Sequence, residues 1–261
     1  MRTSRVNINS FGLLLILFLG QAIAAGPDFD REARLADEIV DAILDGDVQW
    51  LPAGGREFLS IYTAADDSKL AVVILHGRGF HPDWADTVNP LRVGLVEHGF
   101  STLSLQMPVL EKDATYYDYI PIFRYSHARI EAGISFLRER GQQKIVLLAH
   151  SCGVHMAMDW VTLAGDADID AFIGLGMGAT DYQQPMLQVF PLAAMKVPVL
   201  DLYGSNEYPA VIGMAPARKA MTEKAANSQS RQVVLADADH YFTDRGDALV
   251  AEVASWLDQL N

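Results

Sequence analysis

The sequence predicts an α/β protein with a mostly parallel β-sheet and helices on both faces. Two observations support this prediction. Seven short apolar runs have the length of buried strands. Segments of helical length lie between and after them, and strands that alternate with helices form parallel sheets. No repeat, low-complexity tract or linker divides residues 26–261, so we expect a single domain there.

The predicted strands cover residues 58–62, 70–75, 101–106, 144–149, 171–175, 197–203 and 231–235. A helix is predicted at 154–163, and another at the end of the chain, where Leu249, Val253, Trp256 and Leu260 recur on one helical face.

Two segments, 111–121 and 179–196, fit neither the strand nor the helix pattern. Each follows a predicted strand on the side where ligands bind in parallel sheets. Both are therefore candidates for the walls of a pocket, and plain surface loops are the alternative.

The first 25 residues are typical of a secretory signal peptide. Arg2 and Arg5 precede the apolar run 11–20, and the stretch Ala22-Ile23-Ala24-Ala25 offers small alanines for a cleavage site. The run is short for a transmembrane helix, although an uncleaved anchor or a buried terminal helix remains an alternative. We expect a periplasmic or secreted protein, residues 26–261, with no stable membrane insertion after cleavage.

Net charge and cysteine content exclude some classes of binding partner and ligand. The formal net charge is −13, and removal of Arg2 and Arg5 without any acid lowers it to −15. A chain of this charge repels nucleic acid and anionic membrane surfaces. Cys152 is the only cysteine, so no internal disulfide can form and no cysteine cluster is available for a metal ion.

The stretch LLAHSCGVHM, residues 147–156, places Ser151 among small residues between a predicted strand and a predicted helix. This is the setting of a nucleophile elbow, a tight turn that leaves no room for large neighbouring side chains. Ala149 stands where glycine is more usual. The sequence favours a nucleophilic serine, and a structural turn serine is the alternative.

A nucleophilic serine needs a base, an acid that orients the base, and donors for the oxyanion. Glu207 in LYGSNEY and His240 in ADADHYF follow Ser151 in the expected order of acid and base. The run VVILHGRGF ends a predicted strand in a Gly-rich turn, so the backbone N–H groups of Arg78 and Cys152 are candidate oxyanion donors. Asp181 is the chief rival for the acid.

These motifs resemble those of the α/β-hydrolase fold over nearly the whole mature chain. Within that fold, LHGRGFHPDW, STLSLQMP, LYGSNEYPA and ADHYF are similar to an uncharacterised bacterial domain-of-unknown-function family. The fold resemblance implies serine-hydrolase chemistry on an ester, thioester or amide, with Ser151 as nucleophile, Glu207 as acid and His240 as base. The closer family implies no substrate.

The resulting hypothesis is an exported carboxylesterase-like serine hydrolase that acts on a small-molecule ester or acyl substrate and needs no cofactor. A non-catalytic binding protein with the same fold is the alternative, because fold does not fix function.

Other polar residues have simpler interpretations. His155 and Asp159 lie four apart on a predicted helix and are expected to form a local pair. His76, His81 and Asp83 are close in sequence, but their spacing matches no recognised metal-ligand pattern, so no metal site is predicted.

Overall fold

The computed structural model describes residues 26–260, which form one eight-stranded sheet flanked by helices. The strands are β1 (Asp47–Ala53), β2 (Arg56–Thr63), β3 (Leu70–Leu75), β4 (Ser101–Leu105), β5 (Lys144–His150), β6 (Ala171–Leu175), β7 (Val199–Asn206) and β8 (Arg231–Asp239). Their order across the sheet is β1-β2-β4-β3-β5-β6-β7-β8. β2 pairs antiparallel with β1 and β4, and all other neighbours are parallel. The predicted mostly parallel sheet is therefore confirmed.

Seven α-helices lie in the described part of the chain. They are α1 (Phe29–Ile39), α2 (Val88–Glu97), α3 (Tyr116–Tyr119), α4 (Arg124–Glu139), α5 (Cys152–Ala164), α6 (Pro209–Ala225) and α7 (Gly246–Leu257). Short 3₁₀ turns follow α1, α3 and α7.

The central strands are apolar on both sides because both faces of the sheet are covered. In β3, Ala71, Val73 and Leu75 join the core that includes residues of α4 and α5. Their neighbours Val72 and Ile74 join the core that includes residues of α2 and α7. The alternation follows from the two-residue period of a strand, and it explains why these strands are continuous apolar runs in the sequence.

Parallel pairing brings the carboxyl ends of β3, β5, β6, β7 and β8 to one edge of the sheet. The loops that leave these strands carry the residues singled out as candidate catalytic groups. This edge is where an open α/β sheet binds its ligands.

The structure departs from the predicted elements at the two ends of the sheet. β1 was not predicted, because it is a partly exposed edge strand that contains Pro52 and alternates little. β7 and β8 extend to Asn206 and Asp239, beyond their apolar runs, with a register shift near Gly204. A Cβ at Gly204 would lie 2.2 Å from the Ala238 carbonyl oxygen, so glycine allows the close approach of the two strands.

The predicted signal peptide, residues 1–25, lies outside the described residues. From residue 26 to residue 260, no helix is both long enough and apolar enough to cross a bilayer.

Candidate active site

Ser151 lies in a strained turn between β5 and α5. Its φ and ψ are 54° and −120°, a conformation that non-glycine residues rarely adopt. A Cβ at Gly153 would lie 2.6 Å from the His76 carbonyl oxygen and 2.8 Å from that of Leu75. The glycine is therefore required where α5 starts against the end of β3. This sharp turn matches the geometry of a nucleophile elbow.

Ser151, His240 and Glu207 form one chain of hydrogen bonds. His240 Nε2 lies 2.8 Å from Ser151 Oγ, and His240 Nδ1 lies 2.6 Å from Glu207 Oε1. In this arrangement Nδ1–H donates to the carboxylate and Nε2 accepts the serine proton. His240 and Glu207 are 2% and 6% exposed, so the pair is shielded from water.

The extra methylene of glutamate is accommodated by a glycine opposite it. Gly176 follows β6 with a φ of +61°, and a Cβ there would lie 2.9 Å from His240 Cε1 and 3.1 Å from Glu207 Oε2. The backbone N–H of Tyr208 also donates to Glu207 Oε1 at 2.7 Å, which fixes the carboxylate. No local pattern in the sequence points to Gly176, because its role depends on β6 lying beside β7.

The structure does not bring Asp181, the rival acid, into hydrogen-bond contact with His240. Asp181 instead forms a bidentate ion pair with the Arg78 guanidinium, with Arg78 Nη2 at 2.8 Å from Oδ1. It also accepts the Tyr116 backbone N–H at 2.5 Å. These hydrogen bonds, chiefly that from Arg78, hold the pKa of the Asp181 carboxyl below its usual range.

Arg78 lies in the turn after β3, and Cys152 is the first residue of α5. Within residues 26–260 neither backbone N–H has a protein acceptor. The N–H of Cys152 lies at the positive end of the α5 helix dipole. A side chain of α1 fixes the turn that carries Arg78, because Arg31 Nη2 donates a hydrogen bond to the Gly79 carbonyl at 3.2 Å.

The side chain of Cys152 is buried and unreactive, in contrast to the backbone N–H that is the candidate oxyanion donor. The side chain is 5% exposed, and burial raises the pKa of the thiol to about 12. It is therefore a protonated packing group at neutral pH.

Three buried histidines are neutral and serve structure. Burial lowers the pKa of His76 and His150 to about 3 and that of His155 to about 4. His150 Nε2 lies 2.8 Å from the His240 carbonyl, so it helps to fix the backbone that carries the candidate base. Both ring nitrogens of His76 are occupied, by the Gly77 carbonyl and the Met107 N–H.

The predicted pair of His155 with Asp159 is wrong. His155 is enclosed by the rings of Tyr116 and Phe190 and donates to the Ala179 carbonyl at 2.9 Å. Asp159 pairs instead with His127 Nε2 at 2.8 Å. Tertiary packing therefore overrides the helical spacing. No cluster of three or more His, Cys, Asp and Glu side chains that could hold a metal ion occurs between residues 26 and 260.

A cleft of about 1230 Å³ opens above Ser151. Its walls come from α1, from the turn after β3, and from both segments that fit neither pattern in the sequence, 111–121 and 179–196. The predicted placement of these two segments beside a pocket agrees with the structure. Tyr208 and Tyr241 complete the wall next to His240.

The strand order and the parallel core give this protein the α/β-hydrolase fold. Residues 20–119 and 124–259 match the model of a family described as "Protein of unknown function (DUF3530)", and the chain belongs to this family. No curated protein matches the chain in sequence.

Several solved structures are similar in fold. Est1E from Butyrivibrio proteoclasticus has a TM-score of 0.62 at 14% identity, with 83% of this chain and 99% of that chain covered. A dienelactone hydrolase from Anabaena variabilis has a TM-score of 0.61 at 14% identity, with 82% and 97% covered. An α/β serine hydrolase without a lid from Xanthomonas campestris has a TM-score of 0.58 at 12% identity, with 83% and 95% covered.

Proposed function

We propose that this protein is an exported serine hydrolase of the carboxylesterase type. The observation that carries the proposal is the hydrogen-bond chain from Ser151 Oγ through His240 to Glu207, set on a strained elbow below an open cleft. The fold adds support, because two proteins of similar fold are named as a dienelactone hydrolase and as an α/β serine hydrolase. Export rests on the signal-like residues 1–25.

The geometry supports the following steps of ester hydrolysis. Ser151 Oγ attacks the acyl carbon while His240 Nε2 takes its proton, and Glu207 stabilises the imidazolium that forms. The backbone N–H groups of Arg78 and Cys152 hold the negative carbonyl oxygen. The bond from carbon to the alcohol oxygen then breaks, and His240 protonates the departing alcohol.

A water molecule completes the cycle. His240 takes a proton from the water as its oxygen bonds to the acyl carbon, and the bond from that carbon to Ser151 Oγ breaks. The serine recovers its proton and the carboxylic acid leaves. Residues of the chain and one water molecule supply every group that these steps use, so the proposed reaction needs no cofactor.

Labelling by a fluorophosphonate probe tests the proposal, because only an activated serine reacts readily. We expect the wild-type protein to be labelled and to hydrolyse short-chain p-nitrophenyl esters. Ser151→Ala should abolish labelling and lower turnover by about three orders of magnitude or more. Ser255→Ala is the matched control, because Ser255 is exposed on α7.

Unchanged labelling of Ser151→Ala would overturn the assignment of the nucleophile. An unlabelled, inactive wild-type protein would instead support a binding protein that keeps the hydrolase fold.

A further inference from the structure

One wall of the cleft is a continuous row of aromatic rings that ends on the candidate base. Trp84 and Phe80 stack in parallel with centroids 3.9 Å apart, and Phe80 lies 5.8 Å from Tyr241. Tyr241 meets Tyr208 at 6.4 Å, and Tyr208 stacks on the His240 imidazole at 4.3 Å. We call Trp84, Phe80, Tyr241 and Tyr208 the aromatic wall. All four rings line the cleft and are partly exposed in it.

The chemistry of this wall suits a ring better than an alkyl chain. Flat aromatic faces attract other aromatic rings through stacked and edge contacts that a flexible alkyl chain does not make. Leu35 is the only leucine, isoleucine, valine or methionine that lines the cleft in the described residues. The Tyr208 hydroxyl donates a hydrogen bond to the Tyr241 hydroxyl at 3.0 Å. The wall therefore also offers a phenolic hydrogen-bond donor and acceptor beside the rings.

The position of the wall assigns it to one half of the substrate. His240 must protonate the departing alcohol oxygen, so the alcohol half of an ester lies on the side of the imidazole. The aromatic wall ends on that imidazole through Tyr208. Resting on the proposed hydrolase function, we propose that the substrate is an ester whose alcohol half carries an aromatic ring bound on the aromatic wall.

Two isomeric esters test which half carries the ring. Benzyl acetate places the ring on the alcohol and methyl phenylacetate places it on the acyl group, and the two have the same atoms and leaving alcohols of similar acidity. Hexyl acetate is the control of comparable size without a ring. We expect kcat/KM for benzyl acetate to exceed that for each of the other two by about tenfold, the scale of one or two stacked aromatic contacts.

A variant locates the preference on the wall. Trp84 is the ring farthest along the wall from His240, so its replacement leaves the hydrogen bonds of the triad in place. Trp84→Leu should lower the ratio of kcat/KM for benzyl acetate to that for hexyl acetate about fivefold. Trp50→Leu is the matched control, since Trp50 is 49% exposed on the edge strand β1 and does not line the cleft. It should keep the ratio.

The outcomes separate this inference from the proposed function. Probe labelling of Ser151 together with equal or faster hydrolysis of methyl phenylacetate or hexyl acetate would overturn the inference alone. An unchanged ratio in soluble, folded Trp84→Leu would also overturn it. A wild-type protein that is neither labelled nor active on any of the three esters would overturn both.

Discussion

The substitution Gly176→Ala tests the fit between the acid and the base. Gly176 adopts a φ of +61°, and a Cβ there would lie 2.9 Å from His240 Cε1, 3.0 Å from His240 Nδ1 and 3.1 Å from Glu207 Oε2. An ordinary contact is about 3.4 Å or longer, so the imidazole or the glycine backbone has to move by several tenths of an ångström. The added methyl group therefore displaces the hydrogen bond between His240 and Glu207, which orients the base.

The expected effect on stability is moderate, and the effect on turnover is larger. The positive φ costs an alanine about 1–2 kcal/mol, which for a chain of this size lowers Tm by roughly 2–8 °C. A displacement of about 1 Å near reacting groups can lower turnover by about 100-fold. The smaller shift expected here should lower kcat by about tenfold.

Gly99→Ala separates the two effects. Gly99 has a φ of +85°, but a Cβ there meets nothing within 4 Å, so the variant carries the backbone strain without the contact. We would measure kcat on a short-chain p-nitrophenyl ester and Tm by circular dichroism for both variants. If Gly176→Ala lost no more turnover than Gly99→Ala, the proposed fit of the Glu207 and His240 pair against Gly176 would be refuted.

Three further predictions follow from the site, the core and the leader. Glu207→Gln should lower turnover by about 10³-fold or more with little loss of Tm, because an amide favours the wrong tautomer of the base, whereas Asp181→Asn should cost about tenfold. Turnover in the reverse order would make Asp181 the acid. Asp201→Asn should lower the free energy of unfolding by about 3–5 kcal/mol in urea, since it leaves the fully buried Arg218 without its counterion. N-terminal sequencing of periplasmic material should show cleavage near Ala24 or Ala25, and an intact cytoplasmic chain would contradict export.

The fold can be predicted from the sequence because the central strands of the sheet are buried on both faces. Such strands are continuous apolar runs, and β3 and β6 begin and end where the sequence predicts. The edge strand β1 was missed since one of its sides faces solvent and its pattern is weak. The ends of β7 and β8 were missed because hydrogen bonding between the two strands continues through polar residues.

The candidate site can be predicted from the sequence only in part. Ser151, Glu207 and His240 stand in recognisable local settings, and the structure joins them by hydrogen bonds. The ion pair of Arg78 with Asp181 links residues that are 103 positions apart, so no local sequence pattern predicts it. Contacts of this kind depend on how two loops meet above the sheet, so a single sequence carries little sign of them.

Cys152 gives this protein an internal reporter of its own opening. It is the only thiol in the chain, it follows Ser151 directly, and in the folded state it is both buried and protonated. Because the thiol is buried and protonated, a thiol reagent modifies it slowly unless the start of α5 separates from the sheet or the whole chain unfolds. The rate of modification in mild urea therefore measures how often the elbow opens, and a comparison with global unfolding shows whether this turn yields before the rest of the molecule.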